Sequence, residues 1–106
     1  MISEDRLQKA ITYLAETDEL ASELKTDVER KDYAIKMTEA AIIVHSEGAM
    51  ELRKATAKDS EAYQQAVDNY LNAVKRYNDV SNKRKTEMLI TEIWRSLNAN
   101  RRIGNL

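Results

Sequence analysis

The stretch LQKAITYLAETDELASELKTDVERKDYAIKMTEAAI, residues 7–42, decides the fold. Every seventh residue in it is apolar: Leu7, Leu14, Ala21, Val28, Ile35 and Ile42. A repeat of seven sustained over that length keeps one seam of a helix against a partner helix. Neither proline nor glycine interrupts the chain before Gly48. The seam is also broad. Tyr13, Leu20, Ala34 and Ala41 each precede a seam position by one residue, Ala10 and Leu24 follow one by three, and Ala40 to Val44 are all apolar. One partner helix cannot cover so wide a stripe. The surplus predicts a second layer, most simply another copy of the chain in a dimeric four-helix bundle.

Working outward, Ser3 is a good N-cap with Glu4 and Asp5 in the first turn, where the helix dipole favours negative charge. Gly48 is suited to a left-handed C-terminal position. These bounds give a first helix over about 3–46, weakest at Thr17-Asp18, where helix propensity falls. A connector over 47–60 contains good helix formers from Ala49 to Ala57, enough for a short helix, and then Asp59 or Ser60 as a new cap. The second long helix covers about 61–98, followed by a flexible basic tail over 99–106. Two long helices with a short link fold back on each other. The expected fold is therefore one all-α domain, a long antiparallel helical hairpin of coiled-coil character.

The second helix repeats the theme. Tyr63, Tyr70 and Tyr77 lie seven apart beside Val67 and Val74, with Ala66, Ala73 and Val80 on the other flank. With Leu7, Leu14, Val28, Ile35 and Ile42 they form the candidate self-association surface. The tyrosine row admits two readings: rings at the edge of a core with hydroxyls reaching water, or a stacking platform for single-stranded bases. The core reading is preferred, because Lys75 and Arg76 do not alternate with the rings.

Composition narrows the function. At 106 residues, 42% apolar and 33% charged, the chain is neither disordered in character nor built to span a membrane. Its start is acidic where a secretory signal would be basic, so a cytoplasmic location is expected. Without cysteine there are no disulfides, thiolate metal sites or thiol nucleophiles. The single histidine, His45, reads as a residue complementing the negative end of helix 1. Phosphate-binding glycine loops, nucleophile elbows and zinc-helix motifs are missing. No catalytic, metal or cofactor site is expected, and the chain reads as a non-enzyme.

Charge is divided along the chain. Residues 1–47 hold 11 acids and 6 bases; residues 75–106 hold 3 acids and 8 bases. Lys83, Arg84, Lys85, Arg95, Arg101 and Arg102 are the candidate phosphate-binding surface. An antiparallel hairpin that sets residue i near 106 − i would instead place Asp18, Glu19, Glu23 and Asp27 alongside Lys83, Arg84 and Lys85 and neutralise most of them. Trp94 likewise has two readings. It packs on Ile11 and Leu14 or across a dimer, or it joins Arg95, Arg101 and Arg102 in a recognition patch, since Trp and Arg dominate binding energy at interfaces.

The N-terminal Ser3-Glu4-Asp5-Arg6-Leu7-Gln8-Lys9-Ala10-Ile11-Thr12-Tyr13-Leu14, and Lys83-Arg84-Lys85-Thr86-Glu87 with Ile93-Trp94-Arg95-Ser96-Leu97-Asn98-Ala99-Asn100-Arg101-Arg102, resemble small uncharacterised helical proteins of tailed phages and prophages. The resemblance implies a bacterial cytoplasmic setting and a role near phage DNA replication, recombination or counter-defence, and it carries over no functional residues. Three expectations follow. The first is a self-associating protein acting through protein–protein interaction. The second is a nucleic-acid-binding accessory factor using the basic C-terminal third. The third is an inhibitor of a host nucleic-acid-processing or defence enzyme, in which Glu16, Asp18, Glu19, Glu23, Asp27 and Glu29 imitate phosphates.

Overall fold

A computed structural model describes residues 2–104. It contains three helices and, among the described residues, no strand: α1 (Glu4–His45), α2 (Met50–Asp59) and α3 (Glu61–Gly104). Ser3 caps α1, its Oγ accepting a hydrogen bond from the Arg6 backbone N–H at 3.1 Å. Glu4 and Asp5 occupy the first turn and His45 the last. The helix continues through Thr17-Asp18, where the Thr17 hydroxyl donates back to the Tyr13 carbonyl at 2.7 Å and does not cap a new helix.

α1 ends at His45, short of the Gly48 terminus expected; Gly48, three residues on, has φ +103°, a left-handed conformation within the turn into α2. The Gly48 carbonyl accepts from Arg53 Nε at 2.9 Å, which fastens the turn to α2. Ser60 is the single residue between α2 and α3, and it serves both. Its hydroxyl donates to the Ala57 carbonyl at 2.6 Å and accepts from the Tyr63 N–H at 3.2 Å. The cap is thus Ser60, not Asp59.

One boundary differs from expectation. The helix reaches Gly104, so residues 99–104 are helical and not a flexible tail; the remainder of that segment, 105–106, lies outside the described residues. Ala99 to Ile103 contain no breaker, and Arg101 and Arg102 in the last turn favour the negative helix end.

The chain divides into two compact units. A terminal unit pairs the chain up to Ser22 with the chain from Asn78 onward, and a middle unit spans Glu23–Tyr77. In the terminal unit Arg6 meets Glu87 while Asp18, further along α1, meets Arg84, earlier on α3, so the segments run antiparallel. In the middle unit Asp27 meets Arg76, and α2 closes the turn. The burial pattern follows the heptads. Leu7, Leu14, Val28, Ile35 and Ile42 on α1 and Tyr63, Tyr70 and Tyr77 on α3 are all half-buried seam residues. No helix among the described residues is long and apolar enough to cross a membrane.

Replacing Gly48 by alanine should lower unfolding stability by about 1–2 kcal/mol, the cost of a β-carbon in left-handed backbone. The added Cβ would also sit 3.0 Å from Leu52 Cδ2, but that side chain is exposed and can move. Urea titration followed by circular dichroism checks this, and Gly48→Asn should lose less, because asparagine tolerates that conformation.

Candidate interaction surface

Between the paired helices only small or polar groups are closed off. The buried apolar residues among those described are four alanines: Ala10 in the terminal unit, and Ala57, Ala66 and Ala73 in the middle unit. Alanine lets two backbones approach closely but contributes little apolar area of its own. Among the described residues no large side chain is fully buried. Large apolar residues are instead half-buried at the seam or exposed on its flanks.

Polar residues hold the terminal unit in register. Arg6 Nη2 donates to Glu87 Oε1 at 2.8 Å, and Arg6 Nη1 lies 2.8 Å from Oε2 without the alignment of a hydrogen bond. Glu87 is only 7% exposed and occupies a seam position. The hydrogen bond from Arg6 holds the Glu87 carboxyl below its usual range against the opposing effect of burial, with the charges of Arg6 and Lys83 acting in the same downward direction. That hydrogen bond also raises the Arg6 guanidinium above its ordinary value.

Arg84 forms a second fastening. Nη1 donates to the Leu14 carbonyl at 2.8 Å and to the Thr17 hydroxyl at 2.6 Å, while Nη2 donates to Asp18 Oδ1 at 3.3 Å. The guanidinium therefore lies across the stretch of α1 with the weakest helix propensity. Lys83 Nζ sits 4.5 Å from the centroid of the Tyr13 ring, a cation–π contact.

These contacts redistribute the residues singled out by sequence. Lys83 and Arg84 are engaged within the terminal unit, whereas Lys85, Arg95, Arg101 and Arg102 are exposed. Asp18 joins Arg84 as expected, but Asp27 joins Arg76 at 3.2 Å. A register of 106 − i would set Arg6 beside Asn100; the structure sets it beside Glu87.

That offset also moves Trp94. Seven residues beyond Glu87, it faces the start of α1 and not Ile11 and Leu14. It is half-buried and lines a cleft of about 240 Å³ with Ile2, Ser3, Glu4, Leu97, Asn98 and Arg101. The structure thus brings Trp94 and Arg101 together. Arg95 and Arg102 fall one residue past the second seam position of their heptads, on another flank.

Sequence reasoning missed Arg6 and Glu87 as a pair. The available signal was a carboxylate at a seam position, which requires a cation within reach. Among the described residues, no group of histidine and carboxylate side chains could hold a metal ion.

The sign of the Glu87 shift fixes a pH dependence. A carboxyl lowered in the folded state contributes stability above its unfolded value, near 4.3, and loses it as pH falls through the folded value. The thermal midpoint should drop on acidification below about pH 4.5. Glu87→Gln should start lower at pH 7 and show a shallower acid loss, as read by scanning calorimetry from pH 7 to 3.

Neither a protein family, nor a curated protein, nor a solved structure matches this chain, so its surface is read from its own geometry.

Proposed function

We propose that this chain is a non-catalytic helical protein that works by binding protein surfaces, and first of all a second copy of itself. The observation that carries the reading is the missing core. Among the described residues the buried apolar set is four alanines, while Ile11, Leu20, Met88, Leu89, Ile93 and Leu97 of the terminal unit are each more than 40% exposed. Domains are normally built from at least two packed layers around a shared core, and a two-helix layer leaves one of its faces unmet.

Magnitudes support a reversible association. Covering half-exposed side chains of this size is worth on the order of 1 kcal/mol each. Association itself costs about 4–15 kcal/mol, so covering one flank of the unit makes at most a dimer that dilution can dissociate. The half-buried seam residues Leu7 and Leu14 add to the gain.

A nucleic-acid role ranks second. Lys85, Arg95, Arg101 and Arg102 are exposed for it, but Arg84 is held by the Leu14 carbonyl and the Thr17 hydroxyl, the exposed Lys83 lies over the Tyr13 ring, and the chain carries a net charge of −1. A phage or prophage setting enters only through the resemblance of the two ends and the central pattern of the chain.

Light scattering after gel filtration should give a dimer at high concentration whose mass falls on dilution and changes little with salt. A labelled single-stranded oligonucleotide should not co-elute. A monomer at every concentration would overturn self-association. Co-elution at low salt that vanishes at high salt would favour phosphate binding, because releasing counterions makes such binding steeply salt-dependent.

A further inference from the structure

The seam of the terminal unit is closed at one point and open at another. Glu87, bound by Arg6, is buried. Trp94 and Arg101, seven and fourteen residues further along the same row of α3, face the cleft of about 240 Å³ that Ile2 and Glu4 line from the start of α1. Trp94 is half-buried there, and Leu97 beside it is 43% exposed. The cleft has an indole and a leucine on one wall, with room for a large apolar side chain between the two helices.

The arginines of the terminal unit divide at the same place. Arg6 is engaged by Glu87 and Arg84 by Asp18. Arg95, Arg101 and Arg102 are exposed and form no ion pair among the described residues. Three acids lie at this end. Glu92 is one turn before Arg95, while Glu4 and Asp5 occupy the first turn of α1, where the positive helix end meets their charge. From Trp94 to Gly104, α3 carries the three arginines and no acid.

We propose that this end of the terminal unit docks an acidic protein segment, which places an apolar side chain in the cleft against Trp94 and Leu97 and carboxylates at Arg101 and Arg102. This rests on the protein-binding reading but not on self-association. Charge complementarity selects the occupant. A two-fold pair of chains through this end would bring a second set of unpaired arginines to the first. A phosphodiester strand, charged at every nucleotide, would pass its charge along Glu4 on the cleft wall, whereas a peptide can set its apolar group there and its acids beyond. Tryptophan and arginine are also the residue types that most often carry the binding energy of protein interfaces.

The test selects short, random, tryptophan-free peptides on the immobilised protein and then reads their binding through the emission of Trp94, the single tryptophan of the chain. Enriched peptides should be acidic with a large apolar residue among the acids, should shift Trp94 emission, and should bind more weakly as salt rises. Arg101→Gln with Arg102→Gln should weaken them at least about tenfold while circular dichroism shows the helices intact. Lys85→Gln, which removes an exposed cation outside the cleft, should leave them unchanged. No enrichment, enrichment of neutral or basic peptides, or binding that leaves Trp94 emission unmoved would overturn the proposal. A single-stranded oligonucleotide that shifts the emission and displaces the peptide would overturn it in favour of phosphate. Emission that changes on dilution of the protein alone would overturn it in favour of a second copy over the cleft. Because peptide binding is scored on the monomer and the dimer alike, loss of the self-association reading and loss of this docking site are told apart.

Discussion

The arrangement depends on how little the helix seam closes. A heptad repeat commits α1 and α3 to each other, but the groups they shut away are alanines and one carboxylate, not leucines and isoleucines. Small residues bring two helices close without supplying much apolar burial. The larger side chains straddle the seam, half in water. Both the polar fastenings and the exposed flanks follow from that shortage.

With weak apolar closure, register falls to polar groups. Arg6 with Glu87 and Arg84 with Leu14, Thr17 and Asp18 are directional contacts that a slipped pairing would break. Buried polar pairs of this kind are poor sources of net stability and, as the single buried polar residues of coiled coils illustrate, good selectors of one alignment. The terminal unit is built accordingly. Its helices are aligned by charge, and large apolar residues on both flanks stay exposed.

Much of this was legible in the residues. The seven-residue spacing from Leu7 to Ile42 announced the long helix, Ser3 marked its start and Gly48 the turn beyond its end, and the breadth of the stripe announced a surface that one partner cannot cover. What escaped was register. Charge totals place acidic α1 against basic α3 without saying which acid meets which base, and a long arginine side chain can reach across more than one turn. Hence Asp27 finds Arg76, and Trp94 moves from Ile11 to the start of α1. The end of α3 was misread for a related reason: low apolar content suggested fraying, whereas helix-tolerant residues and a favourable charge at the C-terminus carry it on to Gly104. The division of the basic residues between seam, flank and cleft needed the register and so could not be read beforehand.

The central claim is that the lone chain is an incomplete layer, finished by a second copy. Urea unfolding followed by circular dichroism over about a hundredfold range of protein concentration tests it most directly, since a partner that binds only the folded state stabilises by mass action. The account predicts a midpoint that rises with concentration. A cooperative transition at the same urea concentration throughout would contradict it, because the chain would then be stable as the single layer it forms alone.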